Sequence, residues 1–153
     1  MDDYLIAIID DDALVLDSVG RLVRSMGFNS EQFFSVEKFL AFPFICKACC
    51  IISDVNMPDG NTSRLRDRLA MMGHDVPIIF MTGRRDRALA KMLMDAGAVH
   101  VLAKPFLRKD LEHCIAVALQ RNSSGITNSA IKNSGNEPVL ANDSFTRPTV
   151  GVT

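Results

Sequence analysis

Residues 48–58 read Ala48-Cys49-Cys50-Ile51-Ile52-Ser53-Asp54-Val55-Asn56-Met57-Pro58, an apolar run that ends on a carboxylate. Residues 48–53 predict a buried strand, with Asp54 where the chain leaves it. Outward in both directions, short apolar runs alternate with helical patterns. Residues 5–9 predict a strand that runs into Asp10-Asp11-Asp12. Val15, Val19, Leu22, Val23 and Met26 then recur at helical spacing, and Gly27 stops that helix. A weaker strand is expected at residues 29–33, followed by a short helix capped by Ser35. Beyond Asp54, residues 64–72 predict a helix closed by Gly73, and residues 76–81 a strand ended by Thr82-Gly83. Asp86 caps a helix with Ala90, Leu93 and Met94 on one face, closed by Gly97. Residues 99–103 predict the last strand, ending at Lys104-Pro105, and residues 107–119 the last helix, with Leu111, Ile115, Ala118 and Leu119 as its apolar face. Five strands alternating with five helices predict an α/β fold, a parallel sheet covered by helices on both faces.

The chain has 153 residues, enough for one domain and some excess. Hydrophobic residues at 48% and charged residues at 23% fit a globular profile, and a net charge of −1 argues against a polycation that binds nucleic acid. No apolar run is long enough to span a membrane, and the first one follows Asp2 and Asp3 where a signal peptide needs basic residues. Cys49 and Cys50 are adjacent and Cys114 falls in a helical pattern, so no disulfide framework is expected and a reducing cytoplasm is the simplest setting. Cys46, Cys49 and Cys50 invite a metal reading. Adjacent strand side chains are expected to face opposite ways, however, and no fourth ligand is near in sequence, so they read as small buried residues. From residue 122 the composition turns to Ser, Asn, Thr and Gly without apolar period. The expected organisation is a domain over 1–121 and a flexible polar tail over 122–153 with no room for a second core.

In an open parallel sheet, ligands bind outside the carboxyl ends of the strands. Asp10 and Asp11 follow the first strand, Asp54 the third, Thr82 the fourth and Lys104 the fifth. The sheet brings these ends to one edge. Three carboxylates in one crevice repel unless a cation is present, and a hard divalent ion such as Mg²⁺ suits an all-oxygen set. A lysine ammonium and a threonine hydroxyl complete a site that can hold an anionic, oxygen-rich group while a carboxylate attacks it.

Asp10-Asp11-Asp12, Asp54-Val55-Asn56-Met57-Pro58, Met81-Thr82-Gly83 and Lys104-Pro105-Phe106 occur in an order and spacing that resembles the response-regulator receiver domain over residues 3–121. The set is most similar to receivers of the nitrogen-fixation regulator type, in which a DNA-binding domain usually follows; none is expected here. The resemblance implies a doubly wound, flavodoxin-like, five-stranded parallel sheet of strand order 2-1-3-4-5. It implies that Asp54 accepts a phosphoryl group from a phosphohistidine on a histidine kinase or phosphotransfer protein. Asp11 and Asp54 would hold Mg²⁺ directly, Asp10 through water, and the Asn56 carbonyl would be a further ligand. Thr82 would bind a phosphoryl oxygen and shift, Lys104 would pair with the phosphoryl charge, and the Lys104-Pro105 bond would be cis. Output would pass by protein contact, through the fourth helix, fifth strand and fifth helix, to an unknown partner or a phosphorylation-dependent homodimer. No direct nucleic-acid or membrane binding is implied, and the switch is not a turnover enzyme.

The chain departs from the family pattern at Val101, where an aromatic residue is usual, and at Thr62, where a glycine is usual and Gly60 precedes it instead. Asn56 and Arg84 stand where the family tunes dephosphorylation. Two rival readings are a degenerate receiver that only docks partners and a haloacid-dehalogenase-type phosphatase using Asp10, Asp12, Thr82 and Lys104. The second leaves Asp54-x-Asn-Met-Pro unexplained. Arg84, Arg85 and Arg87 read as a solvated rim, the methionines as core filler, and His74, His100 and His113 lack ligand spacing.

Overall fold

A computed structural model describes residues 4–57, 64–83 and 86–123. Pro58, Gly60, Thr62, Arg84, Arg85 and the tail from residue 124 lie outside the described residues. The elements alternate as β1 (Leu5–Ile9), α1 (Ala13–Ser25), β2 (Asn29–Phe33), α2 (Val36–Leu40), a 3-10 turn (Ile45–Lys47), β3 (Ala48–Asp54), α3 (Leu65–Met71), β4 (Ile78–Thr82), α4 (Arg87–Asp95), β5 (His100–Ala103) and α5 (Arg108–Ser123). All strand pairs are parallel and the order is β2-β1-β3-β4-β5, the doubly wound flavodoxin-like arrangement expected.

Two cores flank the sheet. Leu16, Val19 and Val23 of α1 and Leu111, Ile115 and Ala118 of α5 cover one face. Val36 and Phe39 of α2, Leu65 and Leu69 of α3, and Ala90 and Leu93 of α4 cover the other. Covering both faces explains why β3 is buried at every position. Each large aliphatic side chain so buried contributes roughly 1.5–3 kcal/mol.

The helix ends follow local chemistry. Asp12, Ser35 and Asp86 each accept a backbone N–H in the first turn of α1, α2 and α4. Gly97 follows α4 at φ +107°, and a Cβ there would meet the Arg66 guanidinium at 2.7 Å. The positive φ favours glycine at that position, and the exposed Arg66 side chain is the only group a Cβ would displace among its nearest neighbours.

Three expectations need correction. β4 begins at Ile78, two residues later than predicted, and β5 begins at His100. The N–H of Ile51 pairs with the Pro77 carbonyl just ahead of β4, and Val99 N–H with the Ile78 carbonyl just ahead of β5, so both approaches are extended but outside the ladder proper. α5 continues to Ser123, four residues past the predicted helix end at 119. Cys49 and Cys50 do not face opposite cores. The β1–β3 register slips between Leu5 and Ile6, whose partners are Ala48 and Cys50, and Cys49 is the extra residue of a bulge. Both thiols therefore pack into the core beneath α1 and α5.

Candidate functional site

The site forms where β1, β3, β4 and β5 end together. Asp10 directly follows β1, and its N–H donates to the Phe33 carbonyl at the end of β2. Asp54 closes β3 opposite Met81, and Val55 N–H donates to the Met81 carbonyl at 2.9 Å. Thr82 closes β4 opposite Ala103, and Lys104 N–H donates to its carbonyl at 2.8 Å. These backbone bonds run past the last paired residues and fix the direction in which each functional side chain leaves the sheet.

Carboxylate oxygens of Asp10, Asp11 and Asp54 lie within 4.8 Å of one another. Asp10, Asp54 and Thr82 are buried, and Asp11 is exposed. The Lys104 ammonium reaches both buried acids, at 3.3 Å from Asp10 and 3.5 Å from Asp54. Asp12 has a separate task. Its N–H donates to Asp10 Oδ1 at 2.9 Å, while its own carboxylate accepts from Leu14 N–H as the cap of α1. The triplet thus divides into two site acids and one cap. Asn56 is exposed two residues beyond β3, and the Lys104-Pro105 bond is cis, as expected.

Burial pushes the Asp10 carboxyl above the usual aspartate range. The Asp12 N–H and Lys104 oppose that rise, and the neighbouring Asp54 charge adds to it. Three acids sharing one ammonium leave negative charge in excess, and all the convergent donors are oxygens. That set fits a small hard divalent cation such as Mg²⁺ and not a thiophilic ion.

The Response regulator receiver domain family matches residues 6–116 of this chain. The chain belongs to that family. Among curated relatives of this receiver, Response regulator protein TmoT of Ectopseudomonas mendocina is 37% identical over 116 residues, covering 76% of this chain and 53% of that protein. Transcriptional regulatory protein FixJ of Bradyrhizobium diazoefficiens is 35% identical over 127 residues, covering 82% and 62%. The chain spans about half the length of the first curated relatives it matches. The crystal structure of FixJ-N superposes with a TM-score of 0.71 at 32% identity, over 78% of this chain and 96% of that one. A receiver protein from Burkholderia phymatum superposes at 0.68 and 33% identity, over 77% and 96%.

Other polar and reactive groups of this receiver stand apart from the site. Burial raises the thiols of Cys49, Cys50 and Cys114, which makes them poor nucleophiles and poor ligands. Among the described residues, the one cluster of metal-capable side chains is the aspartate set. His100 is buried on β5, with no hydrogen-bond partner for Nε2 among the described residues. An open apolar groove of about 370 Å³ lies between α1 and the turn into α5. Leu14, Val15, Leu22, Met81, Pro105 and Phe106 line it together with Lys104. Its one readable signal was Leu14, an apolar residue in the first turn of α1 that is 77% exposed.

Proposed function

We propose that this receiver is a phosphoacceptor switch of a two-component relay that takes a phosphoryl group on Asp54. The observation that carries the reading is the convergence of the Asp10, Asp11 and Asp54 carboxylates within 4.8 Å, with Lys104 Nζ 3.5 Å from Asp54. The donor is a phosphohistidine on a histidine kinase or phosphotransfer protein. As its phosphorus–nitrogen bond breaks, the electron pair stays on the imidazole nitrogen and an Asp54 carboxylate oxygen forms the new phosphorus–oxygen bond. Lys104 meets the charge on the transferred oxygens, and the Thr82 hydroxyl offers a donor from the next strand end. Asp10, Asp11, Asp54 and the Asn56 carbonyl would hold Mg²⁺, which when bound supplies charge neutralisation at the phosphoryl oxygens. Water attack on phosphorus later releases inorganic phosphate and restores the carboxylate. The chain is therefore a stoichiometric switch, and it signals by contact with a downstream protein.

Incubation with acetyl phosphate and Mg²⁺ should label the native chain and leave Asp54→Ala unlabelled. A native chain that takes no label is a docking module, and the reading fails.

A further inference from the structure

Leu14, Ser18 and Leu22 follow one another at four-residue spacing along the side of α1 that faces the turn into α5. The short Ser18 side chain between two leucines leaves a depression, and Pro105 and Phe106 form its opposite wall. Leu14 is 77% exposed, and Val15, Leu22 and Phe106 are only partly buried against the core. The result is the apolar groove of about 370 Å³ beside Lys104. Such a trough left open to water favours whatever apolar group can reach it.

The chain itself carries a matching group. Pro138-Val139-Leu140-Ala141 is the longest run of consecutive apolar residues between 124 and 153. The link before it, residues 124–137, is mostly Ser, Asn, Thr and Gly. The link starts at the far end of α5, a helix of 16 residues, so the groove lies about 24 Å back along that helix. A link of this length and composition has a root-mean-square span of roughly 20 Å. Span and distance match, the condition under which a tethered segment reaches an effective concentration of about 1 mM. Charge agrees with the fit. Glu137 directly precedes the apolar run. At the α5 end of the groove stands the exposed Arg108, which donates to Ser25 Oγ at 2.9 Å.

We propose that Val139 and Leu140 dock in the groove between α1 and the turn into α5, as an intramolecular cover beside Lys104. Their side chains replace water over Leu14, Leu22 and Phe106. A protein that approaches Lys104 across α1 must displace them. That consequence rests on the phosphoacceptor reading; the docking itself does not.

The test is paramagnetic NMR on the full chain, without phosphoryl donor or metal. Cys46, the exposed thiol, is replaced in Cys46→Ser, and a nitroxide is attached to the tail through Ser144→Cys. The methyl groups of Leu14 and Leu22 report the groove. The methyl group of Met71, exposed on α3 across the sheet, is the reference. At an effective concentration of about 1 mM, the label should weaken the groove methyl signals at least about threefold relative to Met71. Val139→Asp with Leu140→Asp should abolish the difference, and so should Leu14→Asp, a change at an exposed position that the fold tolerates. Equal signals at the groove and at Met71 in the labelled chain overturn the proposal and leave the groove to a separate partner. Weakening that persists in the double aspartate variant also overturns it, because another segment is then the occupant. Weakening that fades on dilution overturns the intramolecular cover in favour of the tail of a second copy.

Discussion

Asp54→Asn should make the metal-free protein more stable, although it removes a buried ion-paired group. The magnitude follows from the charges around Asp54. Its oxygens lie within 4.8 Å of carboxylate oxygens of Asp10 and Asp11, and 3.5 Å from Lys104 Nζ. At an effective dielectric of about 20, each acid pair repels by about 3.5 kcal/mol and the ammonium attracts by about 5 kcal/mol. Two repulsions against one attraction leave about 2 kcal/mol unfavourable, and solvent screening of exposed Asp11 lowers that to about 1 kcal/mol. Lys104 keeps Asp10 as its partner in the variant, at 3.3 Å, so no ammonium is stranded. The assay is urea unfolding followed by circular dichroism in mildly alkaline buffer, first with EDTA and then with saturating Mg²⁺. In EDTA the variant should be the more stable by about 1 kcal/mol. At a hundredfold excess of Mg²⁺ over Kd the native chain gains about 2.7 kcal/mol, and the variant, short of one carboxylate, gains less, so the order reverses. A variant less stable than native in EDTA, or a native chain indifferent to Mg²⁺, would refute the reasoning.

Three other outcomes are expected. Burial holds His100 down at about 4 from its ordinary 6.5, with His113 adding to the fall and Asp110 opposing it. Between these values the unfolded chain binds the extra proton, so stability is full above 6.5 and falls by about 3 kcal/mol as the pH drops toward 4. Thermal melts across that window should show this slope in the native chain and a flatter one in His100→Leu. Because burial raises the Asp10 carboxyl, protons compete for the cation site early. Mg²⁺ affinity measured by calorimetry should therefore weaken on acidification before ordinary aspartates titrate. Gly27→Ala and Gly97→Ala both force a side chain into positive φ, at a cost of about 1–2 kcal/mol each, and the exposed Arg66 guanidinium beside Gly97 can swing away from the new Cβ. Both variants should therefore unfold at a lower urea concentration than the native chain, by similar amounts.

The fold was largely legible because the strands are short apolar runs and the helices carry apolar residues at helical spacing. Ser35 and Asp86 were readable as caps for the same local reason that they act as caps. The bulge at Cys49 was hidden because residues 48–52 are apolar throughout. With core on both faces, a slipped register exposes no misplaced polar residue that would betray it. The site acids, Thr82 and Lys104 were legible as polar residues at successive strand ends. What no spacing revealed was their pairing. Lys104 is held by Asp10 as well as Asp54, and Asp12 caps α1 rather than joining the acid cluster. Those facts depend on how the loops after β1 and β5 turn, which side-chain type alone does not fix. The groove beside Lys104 escaped notice for the same reason, since it joins α1 to a turn about eighty residues away in the chain.

The most direct test of the central claim is to locate the acyl phosphate chemically. The native chain is treated with acetyl phosphate and Mg²⁺, reduced with borohydride to convert the phosphorylated aspartate into homoserine, and mapped by peptide mass spectrometry. Homoserine should appear at Asp54, in the peptide carrying Val55-Asn56-Met57, and nowhere else. Homoserine at Asp10, or none at any aspartate, would contradict the account.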